Sequence, residues 1–323
     1  MSARLFETIW RNYYRQIIYA LLFGVILYAS FYRGKITLRV SDMTLGVFNA
    51  VEAVPQQRAE KIRTLEQELQ TLRAQSASST EVALVAAKLA RARHHSNGVI
   101  LVSFDFAPDV SAELTPMAEA VVRHAFARGI RVVGIAAASA QGAPLAKSIL
   151  ENCAQNPRGL YPEQLNGAHY VYLGNRPDMF NTLMQMGKDM HATYETDYGG
   201  RALADMPFMR GVKTYYDVDY LVVITGYVGV PEVWMQIANT KYKAMIGMGM
   251  TAVSISGYMP YLQSKQITGL LAGLRGAAEY EIALGEPNVA VRRMVAQLFA
   301  HALVVFFIVV GNIEYFARRR YGA

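Results

Sequence analysis

The stretch Gly98–Phe106, GVILVSFDF, decides the fold. It is apolar except at Ser103 and Asp105 and too short for a helix, so it reads as a strand buried on both faces. Such strands belong to parallel sheets covered by helices on either side. Working outward, Pro116–Arg128 is an amphipathic helix closed by Gly129, and Arg131–Ala138 is a second strand. Ala143–Ala154 follows as a helix, then His169–Leu173 and Tyr220–Thr225 as the third and fourth strands. Met250–Ser256 is the expected fifth strand, between helices at Pro231–Met245 and Met259–Leu284. This alternation predicts an α/β fold, a doubly wound and mainly parallel sheet of Rossmann-like or flavodoxin-like layout.

Two apolar segments bracket that pattern. Ile17–Tyr32 carries no charge and rises roughly 24 Å as a helix, slightly less than the hydrocarbon core of a bilayer. Trp10, Tyr13 and Tyr14 on one side and Tyr28 and Tyr32 on the other suit the membrane interface. Val295–Phe316 is long enough to span and is stopped by Arg318, Arg319 and Arg320. The sheet is therefore expected to be flanked by N- and C-terminal transmembrane helices. The arginines of the tails favour cytoplasmic termini and an extracytoplasmic central domain, at the inner membrane in a bacterial cell. The expected divisions are a tail and span over residues 1–33, an extended exit and helical stalk over 34–96, the globular domain over 97–290, and a second span with a basic tail over 291–323.

The chain has 323 residues, 32 Lys and Arg against 25 Asp and Glu, and a net charge of +7. Much of the excess lies in the tails and beside the spans, which suits lipid headgroups, and no basic run interleaved with aromatics marks a nucleic-acid surface. The single cysteine, Cys153, rules out an internal disulfide framework. Between the first span and the sheet, Ile62, Leu65, Leu69 and Leu72 fall at spacings of three, four and three within the charged segment Gln56–Gln75. This short a/d seam fits either a self-associating stalk or a helix packed on its own domain. A second helix is expected over Glu81–Arg93, capped by Thr80. Gly269 and Gly273, read within a helix, offer a small-residue face for a close helix contact, in the same subunit or a neighbour.

Open parallel sheets bind ligands beyond the carboxyl ends of their strands, which selects Asp105, Ser139, Asn175, Thr225, Gly226 and Ser256. Asp105 has the chemistry to hold a metal, a ribose hydroxyl or a proton. The long segment Arg176–Asp217, with six methionines at 179, 184, 186, 190, 206 and 209, exceeds an ordinary crossover and is expected to be a lid, a binding loop or a contact surface. His301 and Asn312 are polar groups within the second span, where a helix-to-helix hydrogen bond is the expected use. No phosphate-binding glycine loop occurs, and no His, Cys or carboxylate spacing supports a metal, so no cofactor is expected.

Ser139 stands in Ala136–Leu145, AAASAQGAPL, among small residues at a strand-to-helix turn. This turn resembles the nucleophile turn of signal-peptide-peptidase-type membrane serine proteases, whose fold is related to that of Clp protease. Over Gly98–Cys153 the resemblance implies a serine paired with a lysine, for which Lys147 is available. The chain departs from that pattern in carrying Ala107-Pro108-Asp109 where those enzymes have a glycine pair for the oxyanion. The sequence thus favours a membrane-anchored binding or assembly module, a structural or regulatory subunit that self-associates or joins other membrane proteins in the bilayer. The alternatives are a membrane-tethered serine hydrolase using Ser139, Lys147 and Asp105, or a small-ligand sensor at the sheet's switch point.

Overall fold

In the computed structural model residues 13, 16–28, 38–155 and 169–321 are described. The chain divides into two units, Arg39–Glu286 and the paired terminal pieces Met1–Leu38 and Pro287–Ala323. The larger unit holds a six-stranded sheet that is parallel throughout, in the order β3-β2-β1-β4-β5-β6. The strands are β1 Val99–Asp105, β2 Arg131–Ile135, β3 Tyr170–Tyr172, β4 Tyr220–Thr225, β5 Ile246–Met250 and β6 Leu270–Ala272. The order reverses direction between β1 and β4, which makes the gap between their carboxyl ends the topological switch point of a Rossmann-like sheet.

The first-half crossovers are α4 Ser111–Ala127 and α5 Ala143–Ala154, preceded in the chain by α1 Gln16–Tyr28, α2 Asp42–Ala74 and α3 Ser79–His94. The excursion after β3 contributes α6 Met179–Met186 and α7 Met190–Thr193. After β4 come α8 Val230–Trp234, which runs on with π-type winding through Met235–Lys241, then α9 Ile255–Gln263, α10 Gly273–Ala283 and α11 Val289–Tyr321. All seven residues of β1 are buried, so both faces of the sheet need cover. On one face Val99, Leu101, Val133, Ile135, Val171 and Leu173 pack with Leu183, Met186, Met190, Met206 and Met209 from the excursion and with Trp234. Four of the six methionines therefore fill core, as soft side chains fitting an irregular surface, and Met179 and Met184 pack against it.

Two sequence expectations in the second half are corrected. The fifth strand is Ile246–Met250 and not Met250–Ser256, which instead enters a 3-10 turn and α9. Gly247 and Gly249 are residues of this strand, and their missing side chains make room for the Tyr220 hydroxyl and the Met117 sulfur. The continuous helix expected over Met259–Leu284 is interrupted by β6, with Gly269 at its entrance and Gly273 at the start of α10. Gly273 has φ +54, a left-handed value that a helix interior does not take. A Cβ on Gly269 would overlap backbone atoms of Met43, Gly46 and Val47, so this glycine lets α2 cross close to the sheet within one chain.

The helix expected from Gln56 begins fourteen residues earlier, at Asp42, with Ser41 capping Thr44 N and Pro55 inside it. Burial of Val47, Val51 and Val54 against the unit supports the extra turns and outweighs the hydrogen bond lost at proline. The seam residues Ile62, Leu65, Leu69 and Leu72 pack with Val82, Val85, Ala86 and Leu89 of α3, forming a helical hairpin. Ser78, not Thr80, caps α3, in a reciprocal box with Glu81.

In the terminal unit, α11 holds the one helix among the described residues long and apolar enough to cross a membrane, over the 25 residues Val289–Ile313. Helix α1 is apolar but shorter, and residues 29–37, with the end of the first expected span, lie outside the described residues, as do Trp10, Tyr14 and Tyr32. The rings of Tyr28 and Phe299 meet edge to face at 5.9 Å, bringing α1 beside α11.

Replacing Gly269 by Ala is expected to lower the urea midpoint by an amount equivalent to about 1–3 kcal/mol, because the new methyl meets helix backbone that has no soft side chain to move. Equilibrium unfolding followed by tryptophan fluorescence reads this directly, and an unchanged midpoint would mean that α2 does not lie against β6.

Candidate functional site

Period-two alternation along β1 turns Val99, Leu101, Ser103 and Asp105 to the face covered by the excursion. Ser103 and Asp105 therefore meet, with Ser103 Oγ donating to Asp105 Oδ2 at 2.5 Å. The same carboxylate accepts Ala138 N at 2.7 Å from the loop after β2 and Trp234 Nε1 at 3.4 Å from α8. Asp105 is fully buried, and its acceptors are used to hold three elements together at the switch point. Burial pushes its carboxyl up to about 6, against the opposing pull of hydrogen bonds from Ser103, Ala138 and Trp234.

Ser139 is also buried. Its hydroxyl donates to Phe106 O at 3.3 Å, faces Tyr227 Oη at 3.3 Å and accepts Gly142 N at 2.9 Å. These bonds close the turn that leads into α5. Lys147, exposed on α5, has its ammonium 3.7 Å from Glu151. The serine and lysine of the protease resemblance thus keep separate partners. Thr225 Oγ1 accepts Tyr227 N at 2.9 Å, and Gly226 packs beneath Val110, so both shape the β4 turn. Ser256 is exposed in α9 and does not join the group, a consequence of the fifth strand's true position.

Asn175 lies elsewhere along the same carboxyl edge. It lines a cleft of about 500 Å³ past β3, with Arg176, Tyr194, Glu195, Asp197 and Tyr198. Its amide donates to Ala136 O at 2.6 Å, tying the β3 exit to the β2 exit. Arg176 donates to Thr193 O and lies over the Tyr194 ring at 5.6 Å. Asp197 is occupied by Arg201 and by Gly199 N, whereas the Glu195 side chain is exposed. The Tyr194 hydroxyl is buried and has no hydrogen-bond partner among the described residues. Burial holds its pKa above the ordinary range, with Arg176 pulling down and Asp105 pushing up, so the cleft and the Asp105 cluster lie within electrostatic reach.

Sequence reasoning selected Asn175 and expected a lid, a binding loop or a contact surface over Arg176–Asp217, but it did not single out Arg176, Tyr194 or Glu195 as site residues. The available signal was that the excursion starts at the carboxyl end of a strand. His191 and Glu195 do not pair, since His191 Nε2 faces the carbonyls of Met209 and Val212 at 3.0 Å. His94 and His95 face the carbonyls of Pro207 and Phe208 at 2.7 Å and tie α3 to the excursion. Among the described residues no three His, Cys, Asp or Glu side chains converge as metal ligands would. Comparison with protein-family models, with curated proteins and with solved structures gives no match.

Because the folded-state pKa of Asp105 is about 6, above the ordinary carboxylate value of 3.8, the protonated form favours the fold. Its contribution is complete below about pH 4 and is lost as pH rises through 6. Between pH 5 and 7.5 the wild type is expected to lose about 1–1.5 kcal/mol relative to Asp105→Asn, which does not titrate. Parallel urea titrations at the two pH values measure that difference, and identical pH slopes would remove Asp105 as the titrating group.

Proposed function

We propose that this protein is a membrane-anchored α/β binding module, with α11 as anchor and the cleft beyond β3 as its ligand seat. The observation that carries the reading is the cleft's wall, which Arg176 and Glu195 line together with Tyr194, whose buried hydroxyl has no hydrogen-bond partner among the described residues. Two opposite charges on one wall match a small zwitterion with a carboxylate for Arg176 and an ammonium for Glu195, and free amino acids have that chemistry. The cleft volume, about 500 Å³, lies within the usual range for small-molecule sites. The carboxyl edge of a Rossmann-ordered sheet is where such ligands bind.

The anchor belongs to the same proposal. Leu298, Val305, Phe306, Ile308 and Val309 are exposed along α11, an apolar surface suited to lipid. The Tyr28–Phe299 contact supports an anchor in which α1 lies beside α11, and the arginine-bearing tails favour cytoplasmic termini. His301 and Asn312 are exposed on α11, where Asn312 Nδ2 donates to Ile308 O at 2.7 Å, and they are the groups offered to another membrane helix, of this protein or of a partner. The hairpin seam is filled by α3, so the self-association in this proposal rests on α11 and not on Leu65 and Leu69.

A thermal-shift screen of the free amino acids on the detergent-solubilised chain is expected to find at least one that raises Tm by several degrees at about 100 times its Kd. Arg176→Ala and Glu195→Gln should each weaken that ligand tenfold or more. A screen without a hit, or a hit indifferent to both changes, would end the zwitterion reading.

Topology is open to cysteine accessibility, since Cys153 is buried and its thiol is pushed up to about 12, leaving a silent background. A cysteine introduced at Ser79 should be labelled from outside intact cells and one at Ser2 should be protected; the reverse pattern would invert the proposed orientation.

A further inference from the structure

A second cavity lies at the opposite, amino-terminal edge of the sheet, between the α2–α3 hairpin and the loop that leads into β4. It has a volume of about 620 Å³ and is lined by Arg58, Lys61, Lys88 and Arg91, with Leu65 and Tyr216 among its apolar surfaces. Two of its four cations are neutralised internally. Arg58, fully buried, donates to Asp219 through Nε at 2.8 Å and also binds Asp217 O at 2.7 Å. Arg91 Nε donates to Asp217 Oδ1 at 2.9 Å, while Asp217 Oδ2 is taken by the amides of Lys213 and Thr214. Among the described residues Lys61 donates to a neutral group, the carbonyl of Tyr216. Lys88 is exposed and has no ion-pair partner among the described residues.

The four cations thus face two aspartates, and the excess positive charge falls to the Lys61 and Lys88 ammonium groups, one on each helix of the hairpin beside an apolar wall and neither in an ion pair among the described residues. We propose that this cavity binds a phosphate monoester with an apolar substituent, its dianion set between Lys61 and Lys88 and its substituent against Leu65 and Tyr216. The charge count selects the ligand, since two uncompensated ammonium groups match a dianion and a monocarboxylate would leave one unpaired. Lysine is suited to phosphate as a point charge, and each arginine here already holds an aspartate. Burial holds the Lys61 ammonium below its usual pKa, opposed by Asp219 and Asp217, and Arg58 and Arg91 add like-charge repulsion. A bound anion offsets both penalties through its attraction to the ammonium. The cavity shares no lining residue with the cleft beyond β3.

The shared chemistry has two sources, a soluble phosphomonoester or a lipid with a phosphomonoester headgroup. Phenyl phosphate titrated calorimetrically into the full chain in zwitterionic micelles at pH 7.5 and low salt is expected to bind, more tightly than inorganic phosphate because of the apolar wall. Benzyl alcohol, uncharged and similar in shape, should not bind. Lys61→Gln and Lys88→Gln should each weaken phenyl phosphate at least tenfold, and Lys88, being exposed, can be changed with the fold intact. The affinity should also fall as pH drops below 6, where the dianion takes up a proton and becomes a monoanion. Competition by phosphatidic acid added to the micelles, with phosphatidylcholine inert, would identify the lipid source; phenyl phosphate binding that phosphatidic acid leaves untouched would identify the soluble one. Absence of phenyl phosphate binding at millimolar concentration, or equal affinity in wild type and both variants, would overturn the proposal.

Discussion

The constraint on which the rest of the larger unit depends is the complete burial of β1. A strand with no exposed residue cannot sit at an edge or face water, so it must be flanked by strands on both sides and covered by helices on both faces. Parallel neighbours then need crossovers, and α4 and α5 supply them on one face while the excursion and α8 close the other. The reversal of strand order beside β1 follows from filling both flanks of a central strand, and it leaves a crevice where β1 and β4 end. The switch point is thus a geometric result of apolar composition in seven residues. What occupies it is decided by the two residues of that run that are not apolar, Ser103 and Asp105.

Asp105 shows how position alone fails to assign chemistry. At the end of a central strand it has the address of a catalytic or ribose-binding carboxylate, yet its oxygens receive donors from β1, the β2 exit and α8. A carboxylate so enclosed organises loops, because any change that strips one donor leaves another buried group unpaired. Ser139 follows the same logic, with its hydroxyl closing the turn before α5. The polar groups still open to a visitor lie farther out, past β3 on the excursion, where the segment's apolar side chains are drawn into the core and exposed ones such as Glu195 are left at the cleft.

Much of the fold was legible, and the failures have physical causes. The segments Ala143–Ala154 and Tyr220–Thr225 match their observed boundaries because periodicity, flanking turns and length agree there. The fifth strand was misplaced because glycine lowers strand propensity in isolation, while in the sheet Gly247 and Gly249 are required by the bulk of Tyr220 and Met117 packed over them. The sixth strand was lost because its three residues, Leu270–Ala272, lie among small and apolar residues that also suit a helix. The a/d seam was read correctly as a seam, but a sequence cannot state whether a seam's partner is its own chain or another, and here α3 returns to fill it. Of the candidate site, Asn175 was reachable from strand-end geometry, whereas Arg176, Tyr194 and Glu195 depend on how an aperiodic segment folds back.

The hairpin joins the sheet through charge as well as through packing. Arg58 on α2 reaches Asp219, 161 residues away in sequence, and Asp219 also accepts Val99 N at 2.8 Å at the start of β1. One buried ion pair therefore fixes the long helix to the entrances of both β1 and β4. Burial raises the Asp219 pKa and the Arg58 guanidinium lowers it, so neither charge is comfortable without the other. Replacing both with apolar residues of similar volume would preserve much of the stability but would abandon the hydrogen bond to Val99 N and the one to the Asp217 carbonyl. A polar attachment here has a directional consequence that packing lacks, because it sets the rotation of α2 about its axis. That rotation turns Lys61, three residues on, toward the β4 loop and places the seam leucines against α3. The same pair that anchors the hairpin thus determines which cations face the amino-edge cavity and which residues close the hairpin itself.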